Sequence, residues 1–482
     1  MTVPADGRGT DGPRSDGFGG DGLGDEVRRL YARPARWQSW LDMEAVLARA
    51  QGELGLVPQD AVAAIAAAAD VRRLDAERIE RDTVRTGHAL VPVVWELARV
   101  AGPDAGGWVH WGATSQNIMQ TADLVVLRRV HGIVLRLTGR ALAATAGLAE
   151  RGADMPMAGR THGQHAVPLT FGVKAAAWAD ELIRHTERLR AAEPRVFTVL
   201  FGGAVGTYAG LGEQGRRVQE VIARRLRMTS MPVASRSIAD HLVEYVTLLG
   251  LLAGTVGKVA DEIATLMGTE YGEAAEPFGS GSIGSSTMPQ KRNPHLCQDV
   301  SAAAAVVRSC VAPALESMNM RHESDRGRSL VLIATVERAA IASCDMLRGL
   351  VRLTEGTVLF PERMRANLGL TGGLIMAEAV MMRIATAVGR QRAHEIVHEA
   401  TLATGAGRGL FDVLSADPRV AALVSQADLA RMLDPATYLG FSSTLAHETA
   451  ARAREAVRAL RAAGDGAGPG PEGPTPADPF LS

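Results

Sequence analysis

The chain has 482 residues, 46% of them hydrophobic, and its 52 Lys and Arg residues nearly balance its 53 Asp and Glu residues. A nearly neutral chain of this length can bury a large core in about three domains, and it has no overall field that attracts nucleic acid or a membrane surface. Its three scattered cysteines, Cys297, Cys310 and Cys344, favour reduced thiols, so we expect a cytoplasmic protein without nucleic-acid or membrane partners.

Both ends of the chain are rich in Gly, Pro and Asp, and we expect residues 1–24 and 463–482 to be disordered tails. The first tail lacks an apolar core, so we expect no signal peptide. Between the tails, apolar residues recur at steps of three and four, as in residues 41–55, 122–152 and 241–268. This pattern predicts an all-α chain with an N-terminal helical domain at 25–108, a central long-helix bundle at 109–360 and a C-terminal helical domain at 361–462.

The longest predicted helices are apolar around much of their circumference. Such helices need other helices on most sides, so we expect the bundle to include further chains. The most apolar run, residues 245–257, lies between Glu244 and Lys258 and is too short to span a bilayer. We interpret it as a buried helix.

The first polar motif in the chain is HWGATSQN at residues 110–117. Its Thr114 and Ser115 offer short hydroxyl donors that suit a carboxylate ligand. Each of these residues, taken singly, is more often a helix cap. The motif therefore leaves a binding role and a capping role open.

The second polar motif is GRTHGQHA at residues 159–166. Thr161 adds another hydroxyl donor, and His162 is a candidate general acid. The pair His162 and His165 could also indicate a metal site. The spacing lacks a carboxylate or cysteine partner nearby, so we predict no metal.

The third motif, FGSGSIGSSTMPQKRNP at residues 278–294, contains the pattern G-x-G-x-x-G. A dinucleotide-binding turn needs a strand before its glycines and a helix directly after them. The preceding segment here is helical, and Pro289 interrupts any helix that follows. A flexible linker is a second interpretation, but a linker does not need Lys291, Arg292 and Asn293. We expect a mobile loop that closes over an anion.

Together the three motifs resemble the active-site segments of the aspartase/fumarase superfamily, and the resemblance extends over roughly residues 25–460. The closest likeness is to its cycloisomerase branch, through GATSQ, LFGGAVGTYAGLG, GSSTMP and LDPATYLG. The resemblance implies a three-domain subunit, a bundle shared by four subunits and active sites assembled from three chains. It also implies removal of a proton beside a carboxylate and expulsion of a group from the next carbon, usually with release of fumarate and without a cofactor.

The resemblance assigns roles to individual residues. Ser285 corresponds to the catalytic base, and His162 corresponds to the histidine that protonates or orients the leaving group. A serine is a poor base unless its oxyanion is stabilised, which closure over a dry cationic site can provide. The small dicarboxylate substrate is expected to be bound by Lys291, Asn293, Thr114, Ser115, Thr161, Arg160 and Gln298.

Two positions depart from the superfamily pattern. Gln298 stands where fumarase-like relatives have a glutamate that polarises the histidine, and Asn117 stands where an aspartate is usual. A glutamine can orient an imidazole but cannot stabilise its charged form, so we expect His162 to be a weaker proton donor. Both changes suit a leaving group that needs little protonation.

Nitrite is such a leaving group, and our favoured hypothesis is therefore nitrosuccinate elimination of the kind known from actinobacterial biosynthesis. A nucleotide substrate is disfavoured because Ser324 and Leu330 stand near the places of phosphate-binding residues. Cyclisation of 3-carboxy-cis,cis-muconate stays open, although bacterial members of that branch commonly lack the histidine found at His162. Adenylosuccinate or argininosuccinate-type C–N cleavage and a catalytically inactive helical scaffold are the remaining alternatives.

Overall fold

The structure is a computed structural model that describes residues 23–279, 287–405 and 407–465. The two predicted tails lie almost entirely outside these ranges. Ser285 also lies outside them. The described residues are mainly helical, and their strands form three small two-stranded sheets. The all-α prediction is confirmed.

The N-terminal helices enclose an apolar core of their own, which includes the buried side chains of Trp37, Leu41, Met43 and Leu47. α2 provides these four side chains, and prolines begin two of the other helices. The helices are α1 (Leu23–Leu30), α2 (Arg33–Glu53), α3 (Gln59–Ala68), α4 (Ala76–Thr86), α5 (Val91–Ala101) and α6 (Pro103–Gly106).

Long helices with apolar residues on several faces form the central bundle, as their sequence pattern predicts. The helices are α7 (Ser115–Arg151), α8 (Phe171–Val196), α9 (Gly215–Leu226), α10 (Asp240–Leu266), α11 (His295–Ser309), α12 (Val311–Ser317) and α13 (Arg326–Gly356). The strands are β1 (Pro156–Thr161), β2 (Gln164–Thr170), β3 (Thr198–Val199), β4 (Thr229–Ser230), β5 (Ala274–Ala275) and β6 (Val358–Leu359). β1 and β2 form an antiparallel hairpin, β3 and β4 pair in parallel, and β5 and β6 pair antiparallel.

The C-terminal segment contains a small core of its own. Its buried residues include Ile384, Ile396, Leu410 and Leu414. The helices are α14 (Pro361–Leu368), α15 (Ala377–Val388), α16 (Arg390–Leu402), α17 (Leu410–Ala416), α18 (Pro418–Ala421), α19 (Gln426–Met432) and α20 (Ser442–Asp465). The first and last helices of this segment connect it to the rest of the chain, because α14 packs against β1 and α20 packs against α7 and α8.

Two helical segments are long and apolar enough to cross a membrane by length and composition alone, Asp240–Leu266 and His295–Ser317. The first is 67% buried inside the subunit, as expected for a core helix. The second is only 33% buried in the single chain, and Leu315 and Met318 at its end are exposed. The multi-chain bundle that the sequence predicts would cover this open face.

Candidate active site

A cavity of about 350 Å³ lies where the beginning of α7 approaches the beginning of α13. Thr114 and Ser115, both predicted to bind substrate, line it. The side chain of Gln116 joins the cavity walls, since its amide nitrogen lies 3.4 Å from the carbonyl oxygen of Arg236 and its oxygen accepts a 3.3 Å hydrogen bond from Ser324. The first turns of α7 and α13 therefore lie side by side around one space.

Two arginines give this end of the cavity its positive charge. Arg326 is the first residue of α13, and Arg236 lies in the segment before α10. Burial lowers the pKa of Arg236, and its buried Nε has no hydrogen-bond partner among the described residues. Guanidinium groups beside the hydroxyls of Thr114 and Ser115 are suited to hold carboxylates.

The His88 ring is held by the first turn of α5. Its Nδ1 accepts hydrogen bonds from the backbone N–H groups of Leu90 and Val91, at 3.2 and 3.3 Å. Because both partners are donors, the neutral ring carries its proton on Nε2. Burial, and then the positive charge of Arg326, lowers the pKa of His88. His88 therefore supplies the cavity that it lines with a neutral Nε2–H donor.

Asn117 fixes the beginning of α7. Its fully buried side chain accepts hydrogen bonds from the N–H groups of Thr114 and Gly203, at 3.2 and 3.1 Å, and donates one to the carbonyl oxygen of Leu200 at 3.3 Å. Gly203 has φ +76°, a conformation that favours glycine. Asn117 thus joins α7 to the 200–203 segment and does not line the cavity of the single chain, and its effect on the charge of the site stays a prediction.

Replacing Asn117 by Leu is expected to lower the free energy of unfolding by about 1–3 kcal/mol or more, since two N–H groups and a carbonyl would lose a buried partner. Urea unfolding followed by circular dichroism measures the change. The exposed Asn319→Leu serves as the control and should stay within about 0.5 kcal/mol of wild type. Equal stability of the two variants would contradict the anchoring role.

Thr161 and His162 lie at the tip of the β1–β2 hairpin. Thr161 pairs with Gln164, so the hairpin loop is His162-Gly163, and both loop residues have positive φ, 53° and 76°. Two such residues are typical of the tight turn that matches strand twist. His162 is exposed here and does not line the cavity of its own chain.

Arg160 is held at the base of the same hairpin tip. Its guanidinium makes two 2.8 Å hydrogen bonds to the fully buried carboxylate of Glu273 and lies 5.0 Å from the ring centre of Tyr271. Asn367 on α14 donates a further 2.8 Å hydrogen bond to Glu273. The arginine thus anchors the hairpin, and its predicted contact with substrate stays a prediction.

Lys291 and Asn293 lie in the segment that leads into α11, and Gln298 lies in the first turns of that helix. Lys291 and Gln298 are exposed in the single chain. The beginning of α11 is fixed by the buried Glu276, whose carboxylate accepts the N–H groups of Leu296 and Cys297 at 3.2 and 2.9 Å. Ser285, which precedes this segment, lies outside the described residues.

The single chain therefore does not bring all the predicted site residues into one space. Its cavity contains Thr114 and Ser115, whereas the hairpin tip and the beginning of α11 present their residues elsewhere on the subunit. The Nδ1 atom of His110, the first residue of the HWGATSQN motif, lies 2.6 Å from Oε1 of the buried Glu44, and His110 does not line the cavity. The described residues contain no group of three or more His, Cys, Asp or Glu that could hold a metal ion.

Sequence reasoning did not single out Arg236 or Arg326 as site residues. Neither arginine belongs to one of the three polar motifs, and both come near Thr114 only because segments distant in the sequence pack together. His88 had a better signal, since a histidine three residues before the apolar helix 91–101 can accept hydrogen bonds from the N–H groups at its beginning.

Residues 23–309 match the family described as Lyase, and residues 373–449 match the adenylosuccinate lyase C-terminus. The chain is 40% identical over 418 residues to a 3-carboxy-cis,cis-muconate cycloisomerase from Pseudomonas aeruginosa, which covers 86% of this chain and 91% of that protein. It is 36% identical over 416 residues to an N-acetyl-S-(2-succino)cysteine lyase from Dickeya dadantii, with the same coverages. Among solved structures, a fumarate lyase from Mesorhizobium sp. BNC1 is similar with a TM-score of 0.83 at 37% identity, covering 89% of this chain and 97% of that one.

Proposed function

The chain belongs to the aspartase/fumarase superfamily of lyases, and from this we propose that it catalyses β-elimination from a 2-substituted succinate to give fumarate. The observation that supports the proposal best is the cavity at the beginning of α7. Arg236, Arg326, His88 and the Thr114-Ser115 hydroxyls give it cations and hydrogen-bond donors for a carboxylate.

In the proposed reaction, Ser285 removes a proton from the carbon beside a carboxylate. The electron pair of that C–H bond forms the new double bond, and the bond from the neighbouring carbon to the leaving group breaks. The leaving group departs with the bonding electrons, and His162 orients it or gives it a proton. Lys291 and Asn293 stabilise the charge that develops on the carboxylate.

We propose that these residues meet in a homotetramer. The apolar face of His295–Ser317 that one chain leaves open supports this, as does the separation of the predicted residues over three surfaces. A cytoplasmic location is part of the proposal. The cysteines Cys297, Cys310 and Cys344 support it, because they form no disulfide in the described part of the chain.

The size of the cavity favours a leaving group that is larger than nitrite. The space extends well beyond Ser115 along α7, to Leu127, and a four-carbon dicarboxylate would fill only part of it. The similar lyase from Dickeya dadantii is named for an S-succinylated cysteine, which supports the same choice. Nitrosuccinate is the second candidate, and the observation that favours it is the neutral Gln298.

Fumarate release followed by ultraviolet absorbance tests the proposal. We expect turnover of at least one substituted succinate from a panel of N-alkylaspartates, S-(2-succino)cysteine, argininosuccinate, adenylosuccinate and nitrosuccinate. Nitrite release with nitrosuccinate alone would establish the second candidate. Turnover of 3-carboxy-cis,cis-muconate in place of the whole panel would contradict elimination and assign the cyclisation known from the similar Pseudomonas protein.

A further inference from the structure

The cavity continues from the Thr114-Ser115 end along one face of α7. Ser115, Met119, Asp123 and Leu127 follow one another at four-residue steps and all line it. Asp123 lies eight residues after Ser115, which corresponds to about 12 Å along the helix axis. We call the Thr114-Ser115 end of the cavity its outer end and the Asp123 end, which holds a carboxylate, its inner end.

Three further polar groups lie around Asp123. Arg36 on α2 makes a 2.6 Å ion pair with Glu337 on α13, so its charge is already matched. Tyr31, between α1 and α2, has a buried hydroxyl without a hydrogen-bond partner among the described residues. The inner end therefore combines two carboxylates, one guanidinium and one unpartnered hydroxyl, and it lacks one positive charge.

The environment of Asp123 shows the cost of that missing charge. Burial raises the pKa of the Asp123 carboxyl to about 7, with Glu337 raising it further and Arg36 lowering it. No hydrogen bond within the described part of the chain stabilises its ionised form. Asp123 is half-buried at the cavity wall. A carboxylate placed there without a hydrogen-bond partner gains from a ligand that brings a cation and a hydrogen-bond donor.

The walls between the two ends are mainly apolar, although the polar Gln120 also lines the cavity. Met119, Leu242 and Val336 are among the side chains that line this part of the cavity. An alkyl chain can pass such walls favourably, whereas a second charged group along its length could not be paired there.

We propose that the inner end of the cavity binds a primary ammonium group carried at the far end of the leaving group, and that this group pairs with Asp123 and the Tyr31 hydroxyl. The inference rests on the proposed function, because it places the succinyl carboxylates at the Arg236 and Arg326 end. It identifies the substrate class as N- or S-(aminoalkyl)-substituted succinates.

The length of the cavity limits the alkyl chain. Of the roughly 12 Å between Ser115 and Asp123, two hydrogen bonds of about 2.8 Å take up about 6 Å. The remaining 6 Å or so corresponds to about five bonds, at roughly 1.2 Å per bond of extended chain. N-(2-aminoethyl)aspartate has five bonds from its α-carboxylate carbon to its terminal nitrogen and is a suitable probe.

The first test compares N-(2-aminoethyl)aspartate with N-propylaspartate, in which a methyl group replaces the ammonium at nearly the same size. Wild-type protein is expected to prefer the amino compound by at least about tenfold in kcat/KM. Asp123→Asn should remove the preference. Glu337→Gln should reduce the preference as well, because Arg36 is then free to neutralise Asp123. A merely structural role of Glu337 would not change the ratio of the two kcat/KM values.

The control is Asp60→Asn, at an exposed position of α3, which should keep the preference of the wild type. The preference should also increase as the pH rises from about 6 to about 8, because Asp123 ionises in that range while the diamine keeps at least one of its two ammonium protons. Equal kcat/KM for both compounds with wild-type protein would overturn the inference and leave the elimination reaction standing.

Binding to the Ser285→Ala variant separates the inference from the proposed function. Calorimetry with the same two compounds needs no turnover. Even if wild-type protein cleaves neither compound, the amino compound should bind at least tenfold more tightly than the propyl compound. Loss of this difference when Asp123→Asn is added would still support the subsite. Equal binding of the two compounds would overturn it.

Discussion

Replacing Ser285 by Ala is expected to reduce kcat for fumarate release by roughly 10⁴- to 10⁶-fold, the loss found when the central group of a catalytic unit is removed. The expected loss lies in kcat because the hydroxyl removes a proton but does not hold the substrate carboxylates. Those are assigned to Lys291, Asn293 and the cavity at the beginning of α7. Steady-state kinetics on the best substrate of the panel measures the effect.

The neighbouring Ser286→Ala is the matched control, since it makes the same change in the same segment. We expect it to retain most of the activity. Equal losses in both variants would indicate that the segment tolerates no change, and would remove the evidence for Ser285 as the base. Unchanged turnover in Ser285→Ala would rule the assignment out and favour the inactive-scaffold alternative or a different base.

Mixing two inactive variants extends this result to the arrangement of subunits. If Ser285 and His162 reach one site from different chains, Ser285→Ala and His162→Ala subunits that are unfolded and refolded together should recover part of the activity. Each variant refolded alone should stay inactive. No recovery in hybrids that have formed would place both residues in one chain.

Replacing Glu273 by Gln is expected to lower the free energy of unfolding by about 3–5 kcal/mol, because it leaves the largely buried Arg160 without its counter-charge. The same carboxylate accepts a hydrogen bond from Asn367, so the change also loosens α14 from the hairpin. Since the hairpin tip carries Thr161 and His162, we expect catalysis to fall at temperatures where the variant is still folded. Chemical unfolding and activity of one preparation measure both effects.

An exposed ion pair provides the control for this prediction. Arg392 and Glu395 lie 2.8 Å apart on α16, with side chains 53% and 58% exposed. Glu395→Gln should change the free energy of unfolding by no more than about 0.5 kcal/mol. A similarly small effect of Glu273→Gln would show that the hairpin does not depend on its buried pair.

Local sequence signals predicted the helices and the three polar segments, because periodicity and short motifs are properties of neighbouring residues. Thr114 is an example of what such signals predict. Its sequence context left a capping role and a binding role open, and in the structure Thr114 directly precedes α7 and also lines the cavity. The ion-pair partner of Arg160 and the position of Arg236 beside the cavity could not be predicted. Glu273 lies 113 residues from Arg160, and no spacing rule connects positions so far apart.

Asn117 shows a different limit. Its departure from the superfamily pattern suggested a change in the charge of the site, whereas its three backbone hydrogen bonds give it a structural role. The Asn117 amide both donates and accepts hydrogen bonds. Its role in holding the beginning of α7 can be recognised only when the position of the segment at 200–203 is known. Sequence comparison alone does not distinguish the two explanations.

The C-terminal segment bears on how cooperatively the chain unfolds. Its small core comes from residues between α14 and α20, and those two helices attach it to the bundle at both ends. The segment also meets the β1–β2 hairpin through a small cluster in which Ile375 and Met376 pack with Ala158. We expect the segment to open before the bundle unfolds, because this cluster is small and the main core of the bundle is separate from it. A single unfolding midpoint would then average over two transitions, and the free energy of unfolding would differ between the segment and the bundle.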